Sequence, residues 1–257
     1  MKNELREIAE SVKDAVRAIA DKDGTGEVAG KGADGQPSYA ADVAAEAAAF
    51  RKAEGLGLNI NILSEESPFV DRKSEQTLVL DPIDGSLNLI HGVPFYSVSL
   101  AVGTGSLSSV KYGLVMNLVT GDTFYAEKGK GAFRNDELIH VRKFNEKDSM
   151  FFVYMGANAS SNAYDISRKS GMVRSLGSAS LEMCLVAFGK ADVFYMRAVD
   201  SHHALRIVDI AASSLILREA GGEVYDLTGN ILDMRFDITD RKSLIAVGDR
   251  SLRRFAL

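Results

Sequence analysis

Asp81-Pro82-Ile83-Asp84-Gly85-Ser86 places two carboxylates, a proline, a glycine and a hydroxyl within six residues. The apolar run Thr77-Leu78-Val79-Leu80 just before it reads as a buried strand, so the acids arrive at a sheet edge. A packed core has no use for two unpaired carboxylates three residues apart. The same composition also suits a tight turn, since Asp, Pro and Gly are residues that turns select. Further acids shift the balance towards chemistry. Glu65 follows a second short apolar run, and Asp209 opens a helical pattern. If those elements are neighbours, Glu65, Asp81, Asp84 and Asp209 meet at one place. Four carboxylates converge only around a cation, because mutual repulsion would otherwise protonate some of them. Oxygen donors without nitrogen or sulfur companions suit Mg²⁺ or Mn²⁺ rather than zinc. His91, His140, His202 and His203 have no metal-ligand spacing beyond one adjacent pair and read as structural or exposed. Gly85 and Ser86 can open a turn or helix through Leu87-Asn88-Leu89-Ile90, presenting N–H groups to phosphate oxygens. Metal beside an anion site equips a protein for phosphate ester hydrolysis, with two ions roughly 4 Å apart clamping the attacking and leaving oxygens.

Several elements must position these groups. Leu5, Ile8, Val12, Val16 and Ile19 recur at helical spacing and predict an amphipathic helix over residues 3–21. Residues 22–38 hold five glycines and end in Asp34-Gly35-Gln36-Pro37-Ser38; they read as a mobile loop, either a linker or a gate over the site. The alanine-rich residues 41–54 predict a helix, with Asp42 and Glu46 on one face. Strands are expected over 59–63, 77–80, 96–102, 112–118 and 122–127, with hairpins punctuated by Gly129, Gly131 and Asn135-Asp136. Strands over 151–154, 192–196 and 244–247 then alternate with helices over 178–188 and 207–219, an α/β pattern. The chain divides on this reading into an α+β half, residues 1–145, and an α/β half, residues 146–257, within one compact unit.

Composition narrows the partners. With 46% apolar and 25% charged residues, the 257-residue chain is an ordinary globular one. A net charge of −5 and the lack of a dense Lys/Arg block argue against a nucleic-acid binder. Acidity is compatible with an anionic substrate if divalent ions supply local positive charge. The single cysteine, Cys184, lies in an apolar run and reads as a buried structural thiol, which fits a reducing, cytoplasmic setting. No apolar run approaches transmembrane length, and the N-terminus lacks the apolar core of a signal peptide, so a soluble protein is expected.

Three separated motifs carry a resemblance. Glu65-Glu66, then Asp81-Pro82-Ile83-Asp84-Gly85-Ser86-Leu87-Asn88, then Asp209-Ile210-Ala211-Ala212 with Glu219-Ala220-Gly221-Gly222, are similar in order and spacing to the inositol monophosphatase superfamily of lithium-sensitive, magnesium-dependent phosphatases. Gly129-Lys130-Gly131-Ala132-Phe133 and Arg174-Ser175-Leu176-Gly177-Ser178-Ala179 extend the likeness along the chain. The resemblance implies a layered αβαβα sandwich and a homodimer. It implies that Glu65, Asp81 and the Ile83 carbonyl hold one Mg²⁺, that Asp81, Asp84 and Asp209 hold a second, and that a weaker third lies near Glu65 and the loop. Asp42 and Ser86 resemble the pair that orients and deprotonates the attacking water, with Glu65 joining them in catalysis, and Gly85 and Ser86 amides would hold the phosphate.

Departures from the commoner pattern point further. Val208 stands where many members carry tryptophan, and Phe194-Tyr195-Met196-Arg197 lacks the glutamate that contacts inositol in animal-type enzymes. An extra loop around Ser201-His202-His203 follows. This pattern resembles the archaeal-type enzymes that hydrolyse both fructose 1,6-bisphosphate and inositol 1-phosphate. The substrate contacts so implied are Asp84, Gly85, Ser86, Arg174, Ala179 and Arg197, with Arg168 and Arg206 behind them. Guanidinium groups suit a distal phosphate because they bind it bidentately. The rival within the same chemistry is a phosphatase for 3′-phosphoadenosine 5′-phosphate or NADP, which would need an apolar shelf for adenine. A phosphosugar sensor without turnover is the rival from another class, and intact Asp42 and Ser86 argue against it.

Overall fold

The computed structural model describes residues 1–20, 24–33, 35 and 37–256. Helix α1 (Lys2–Arg17) buries Leu5, Ile8, Ala9, Val12 and Val16, the stripe its spacing predicts, while Ile19 packs beyond its end. Strands β1 (Val28–Lys31) and β2 (Pro37–Tyr39) pair antiparallel, so part of the segment expected to be a loop is a hairpin. All four residues of β1 are exposed, and a strand without an apolar face leaves no period-two signal in the sequence. Asp21, Lys22, Asp23, Asp34 and Gln36, which fall under the helix-end and gating-loop expectations, lie outside the described residues. Helix α2 (Ala40–Gly55) follows.

A seven-stranded sheet comes next. It runs in spatial order through β3 (Asn61–Ser64), β4 (Thr77–Asp84), β5 (Ser97–Gly103), β6 (Tyr112–Asn117), β7 (Thr123–Glu127), β8 (Ala132–Arg134) and β9 (Glu137–Ile139). Only β3 and β4 are parallel. The short helix α3 (Ser86–Ile90) leaves the end of β4. The sheet's two faces follow the strand alternation. Leu78, Leu80, Leu100 and Leu114 face α1 and α2, whereas Val79, Ala101 and Val115 face the middle of the molecule.

Beyond it lie β10 (Met150–Val153), helix α4 (Asn162–Ser167), β11 (Met172–Arg174), helix α5 (Ala179–Ala187), β12 (Val193–Met196), β13 (Leu205–Arg206), helix α6 (Ile207–Glu219), β14 (Glu223–Asp226), β15 (Arg241–Lys242) and β16 (Leu244–Val247). Five of these strands form a second sheet, β11-β10-β12-β16-β14, and β13 pairs with β15 as a two-stranded ribbon. Helix α6 is buried on every side from Ile207 to Leu217, as a helix between two sheets must be. Helices α5 and α6 fill the middle layer, and α4 with the C-terminal turns covers the outer face of the second sheet. The result is the expected αβαβα sandwich. The first sheet and the middle layer approach closely at Gly113 of β6, where a Cβ would come within 2.8 Å of the Ala212 carbonyl on α6. Cys184 is buried in the same layer, and burial pushes its thiol pKa well up, so its role is packing.

Candidate active site

Strand β4 does not stop at Leu80. It continues through Asp84, with a register shift between Asp81 and Asp84 in its pairing with β5. Pro82 has no N–H to give a ladder, so proline belongs at such an irregularity. The bulge keeps both acids inside the sheet and re-aims them. Gly85 then turns at φ +97°, a conformation that glycine adopts without strain, and Ser86 opens α3.

Glu65 follows β3, which lies beside β4 in parallel register, so the chain ends of both strands meet. Asp209 sits in the first turn of α6. Oxygens of Glu65, Asp81 and Asp209 all fall within 4.8 Å of one another. Asp81 is 2% exposed, and its Oδ1 is buried without a hydrogen-bond partner. Burial first, then the Glu65, Asp84 and Asp209 charges, pushes its pKa far above the carboxylate range. Burial also raises Glu65, with Arg206 opposing and Asp209 adding to the rise. An orphaned carboxylate oxygen among like charges is what a divalent cation relieves, so these residues fit Mg²⁺ or Mn²⁺.

Asp84 is held from the other side. Its Oδ2 accepts from Ser178 Oγ at 2.7 Å, Ser180 N at 2.7 Å and Ser180 Oγ at 2.5 Å, and its Oδ1 accepts from Ala179 N at 3.2 Å. Burial pushes this carboxyl up to about 6 in spite of those donors. Ser178 belongs to the Arg174–Ala179 stretch that extends the likeness and Ser180 lies just beyond it, but neither is read from the sequence as a site residue. Their signal is the serine spacing around Ala179 at a predicted helix start, where side-chain hydroxyls and amides collect. Ser97 joins them, its Oγ 3.2 Å from Ser178 Oγ and 2.8 Å from Ser180 Oγ.

The pair expected to activate water, Asp42 and Ser86, is in contact. Ser86 Oγ lies 2.7 Å from Asp42 Oδ1 and 2.9 Å from the Ile83 carbonyl. Burial raises the Asp42 pKa, with the Ser86 hydrogen bond opposing. Beside them Glu66 is pushed to about 7 by burial, with the Asp42 and Glu46 charges adding to the rise, and Glu46 of α2 accepts from Ser67 N at 3.1 Å and from the Ser67 hydroxyl.

Arg206 departs most from expectation. Read as a reserve anchor for a distal phosphate, it lies instead among the acids. Its Nη1 donates to Glu65 Oε1 at 2.5 Å and its Nη2 to Asp209 Oδ1 at 2.8 Å, while its backbone N–H donates to Asp209 Oδ2 at 2.7 Å. Burial works against its charge, but Asp209 and Glu65 more than offset this and hold it protonated. The i, i+3 spacing to Asp209 was the available signal.

A cavity of about 270 Å³ opens from Asp84 and Asp209. Ala179, Phe194, Met196 and Leu205 form much of its apolar wall, and Glu182, Arg206, Arg241 and His203 add polar groups. Glu182, pushed by burial to about 8, accepts from Leu176 N at 2.9 Å. Neither Arg174 nor Arg197 is among the lining residues. Arg174 is exposed, its Nη1 donating to the Val173 carbonyl at 2.7 Å, and Arg197 bonds the Tyr195 hydroxyl. Arg168 is exposed on a different groove, after α4. All four histidines are exposed, but His203 also lines the cavity, a placement the sequence did not signal.

Among the described residues, no helix is long and apolar enough to cross a membrane. A family model described as the inositol monophosphatase family matches residues 2–255. A fructose-1,6-bisphosphatase/inositol-1-monophosphatase of Methanothermobacter thermautotrophicus is 36% identical over 258 residues, covering 95% of this chain and 91% of the relative. A bifunctional NADP phosphatase/NAD kinase of Methanococcus maripaludis is 33% identical over 269 residues, covering 93% of this chain but 45% of that longer protein. A solved inositol monophosphatase-fructose 1,6-bisphosphatase matches with a TM-score of 0.86 at 31% identity, covering 99% of this chain and 97% of its own. The acids stand where the three motifs converge and the match runs almost from end to end: the chain belongs to the inositol monophosphatase family.

Proposed function

We propose that this protein is a metal-dependent phosphatase of sugar and polyol phosphate monoesters, with fructose 1,6-bisphosphate and inositol 1-phosphate as its substrates. The observation that carries the reading is the clustered Glu65, Asp81 and Asp209 beside the Ser86–Asp42 hydrogen bond. Glu65, Asp81, the Ile83 carbonyl, Asp84 and Asp209 would hold Mg²⁺, two ions or three, with Mn²⁺ as a substitute. When bound, the metal supplies Lewis acidity, lowering the pKa of water and offsetting charge on phosphate oxygens.

The chain's own groups do the rest. Water attacking phosphorus gives its proton to Ser86 Oγ, whose own proton passes to Asp42 Oδ1. A hydroxyl is a weak base alone, and its contact with a carboxylate of raised pKa completes the relay. The water oxygen–phosphorus bond forms and the ester oxygen–phosphorus bond breaks; the departing alkoxide takes a proton from a solvent water, Asp42 returns its proton to solvent, and alcohol and inorganic phosphate leave. Gly85 and Ser86 amides orient the phosphate, and the Ala179 wall shapes the path of the leaving group. Residues 1–145 contribute most metal ligands and residues 146–257 contribute Asp209 and substrate contacts. A homodimer and a cytoplasmic setting belong to the same reading.

The relative with NADP phosphatase in its name favours a second reading, NADP as substrate. A cavity of about 270 Å³ suits a hexose phosphate better, since pockets for larger ligands span roughly 300–1,000 Å³. The test is Mg²⁺-dependent phosphate release on fructose 1,6-bisphosphate, inositol 1-phosphate, 3′-phosphoadenosine 5′-phosphate and NADP. Turnover of the first two that stops with EDTA is expected. A nucleotide turned over in preference would replace the substrate assignment, and no release from any of the four would remove the enzyme.

A further inference from the structure

Helix α3 carries the hydroxyl of the relay, yet little of it is packed. It is five residues long, Leu87 is 58% exposed, and of its residues Leu89 alone is buried. So short a helix has no stability of its own, since isolated helices below about 12–15 residues are marginal in water. Side-chain anchors therefore set its direction, and the polar anchor is Asn88. Asn88 Nδ2 donates to the Phe95 carbonyl at 2.6 Å and to the Leu176 carbonyl at 2.7 Å. Both partners can only accept, so the NH₂ end of the amide faces them and both of its protons are engaged.

The two carbonyls belong to segments far apart in the chain. Phe95 precedes β5 in the first half, and Leu176 precedes α5 in the second. They close tightly on the turn before α3: at Gly85 a Cβ would meet the Gly177 carbonyl at 3.0 Å and the Phe95 carbonyl at 3.3 Å. From the other side Glu182 accepts from Leu176 N at 2.9 Å, so Leu176 is held at both its N–H and its carbonyl. Asn88 thus ties a weakly packed helix to a fixed point in the opposite half.

What this tie controls is a choice between two acceptors. Ser86 Oγ lies 2.7 Å from Asp42 Oδ1 and 2.9 Å from the Ile83 carbonyl, and a hydroxyl has one proton to give. Directed at Asp42, the proton is on the relay path. Directed at Ile83 it is idle, because an amide oxygen is too weak a base to take it. The distances are close, so a small tilt of α3 decides between them. Asp84 is steadied separately, by Ser178, Ala179 and Ser180.

We propose that Asn88 is a positioning residue for Ser86: by tying α3 to Phe95 and Leu176, it keeps the Ser86 proton directed at Asp42. The proposal rests on the phosphatase reading above and adds a residue whose donors are engaged by the protein itself rather than by substrate.

A double-mutant cycle on the full chain tests it, with Mg²⁺ and the sugar phosphate that wild type turns over fastest. Asn88→Ala should lower kcat about tenfold, within the roughly 10²-fold that a 1 Å misplacement can cost, with KM changed less than about threefold. Once Ser86→Ala has removed the hydroxyl there is nothing left to aim, so adding Asn88→Ala should then cost less than about twofold. Mn²⁺ affinity of Asn88→Ala by calorimetry should stay within about twofold of wild type, because the ligands stand on other elements. Asn88→Gln keeps the donors on a longer arm and should lose less kcat than alanine; it carries the same cycle if the alanine variant does not fold. Equal losses with and without the Ser86 hydroxyl, a kcat unchanged by Asn88→Ala, or Mn²⁺ binding weakened as much as kcat overturns the positioning role. Absence of phosphate release by wild type from any sugar phosphate overturns the phosphatase reading itself, a failure distinct from those three.

Discussion

The two ends of the cavity are built to different standards. At the acid end, Asp84 receives four hydrogen bonds from three consecutive residues, and Asp81 and Asp209 are buried at a strand bulge and a first helical turn. At the far wall, His203 is 42% exposed on a one-turn segment, and Arg241 sits on a strand of two residues. The acid end, which on the proposed function would break the phosphate ester, is locked by long elements from three layers. The far wall, which would meet the rest of the substrate, is carried by short segments whose change would cost the core little. On that proposal, reaction type and substrate choice are separated in the architecture.

That contrast can be broken most severely at Asp84. Asp84→Asn should lower kcat by about 10³-fold, the scale of several kcal/mol of lost charge stabilisation, with the circular dichroism spectrum intact. Near-normal turnover would remove Asp84 from the metal site. Arg206→Met probes the acid end from the opposite direction. Removing a cation from among carboxylates should tighten Mn²⁺ binding about tenfold by calorimetry while lowering the melting temperature in EDTA. Weaker Mn²⁺ binding would mean instead that Arg206 orients the ligands.

A smaller effect is expected at Glu182, which lines the cavity between the two ends. Burial holds its folded pKa at about 8, above the ordinary glutamate value of 4.5, so the folded state keeps a proton that the unfolded chain releases. Stability should therefore fall as pH rises from 4.5 to 8 and level off above. Glu182→Gln removes this dependence, and its melting temperature in EDTA should exceed wild type by about 3 °C at pH 8, the gap closing towards pH 5. A gap independent of pH would show that the proton is not the cause. At the far wall His203→Ala should raise the KM for fructose 1,6-bisphosphate by only about threefold, the worth of one modest hydrogen bond, with kcat unchanged. A fall in kcat would extend the locked region to this wall.

Much of the acid end was legible because strands and helices announce themselves by period. The stripe from Leu5 to Val16 and the runs ending at Leu63 and Leu80 place Glu65 and Asp81 just beyond strand ends. Less visible was the continuation of β4 through Pro82, since proline ordinarily ends a central strand and only the bulge accommodates it. Strand β1 has no buried face, and β13 and β15 are too short for any periodicity. Cross-strand register put Arg241 opposite Arg206, although they are far apart in sequence, and no local pattern records that pairing. Glu219 shows the reverse case. Its carboxylate accepts from Gly129 N and Gly131 N at 2.8 and 2.9 Å, which explains why two distant glycine-containing motifs occur together.

Gly113 gives the sandwich a depth gauge. Because it has no side chain, α6 settles until the Ala212 carbonyl stands where a methyl group would be. Asp209 is three residues before Ala212 on the same rigid rod, and Asp81 belongs to a strand two places across the sheet from β6. The gap between those carboxylates, and hence the ionic radius the cluster can grip, is calibrated by a missing methyl that touches neither of them.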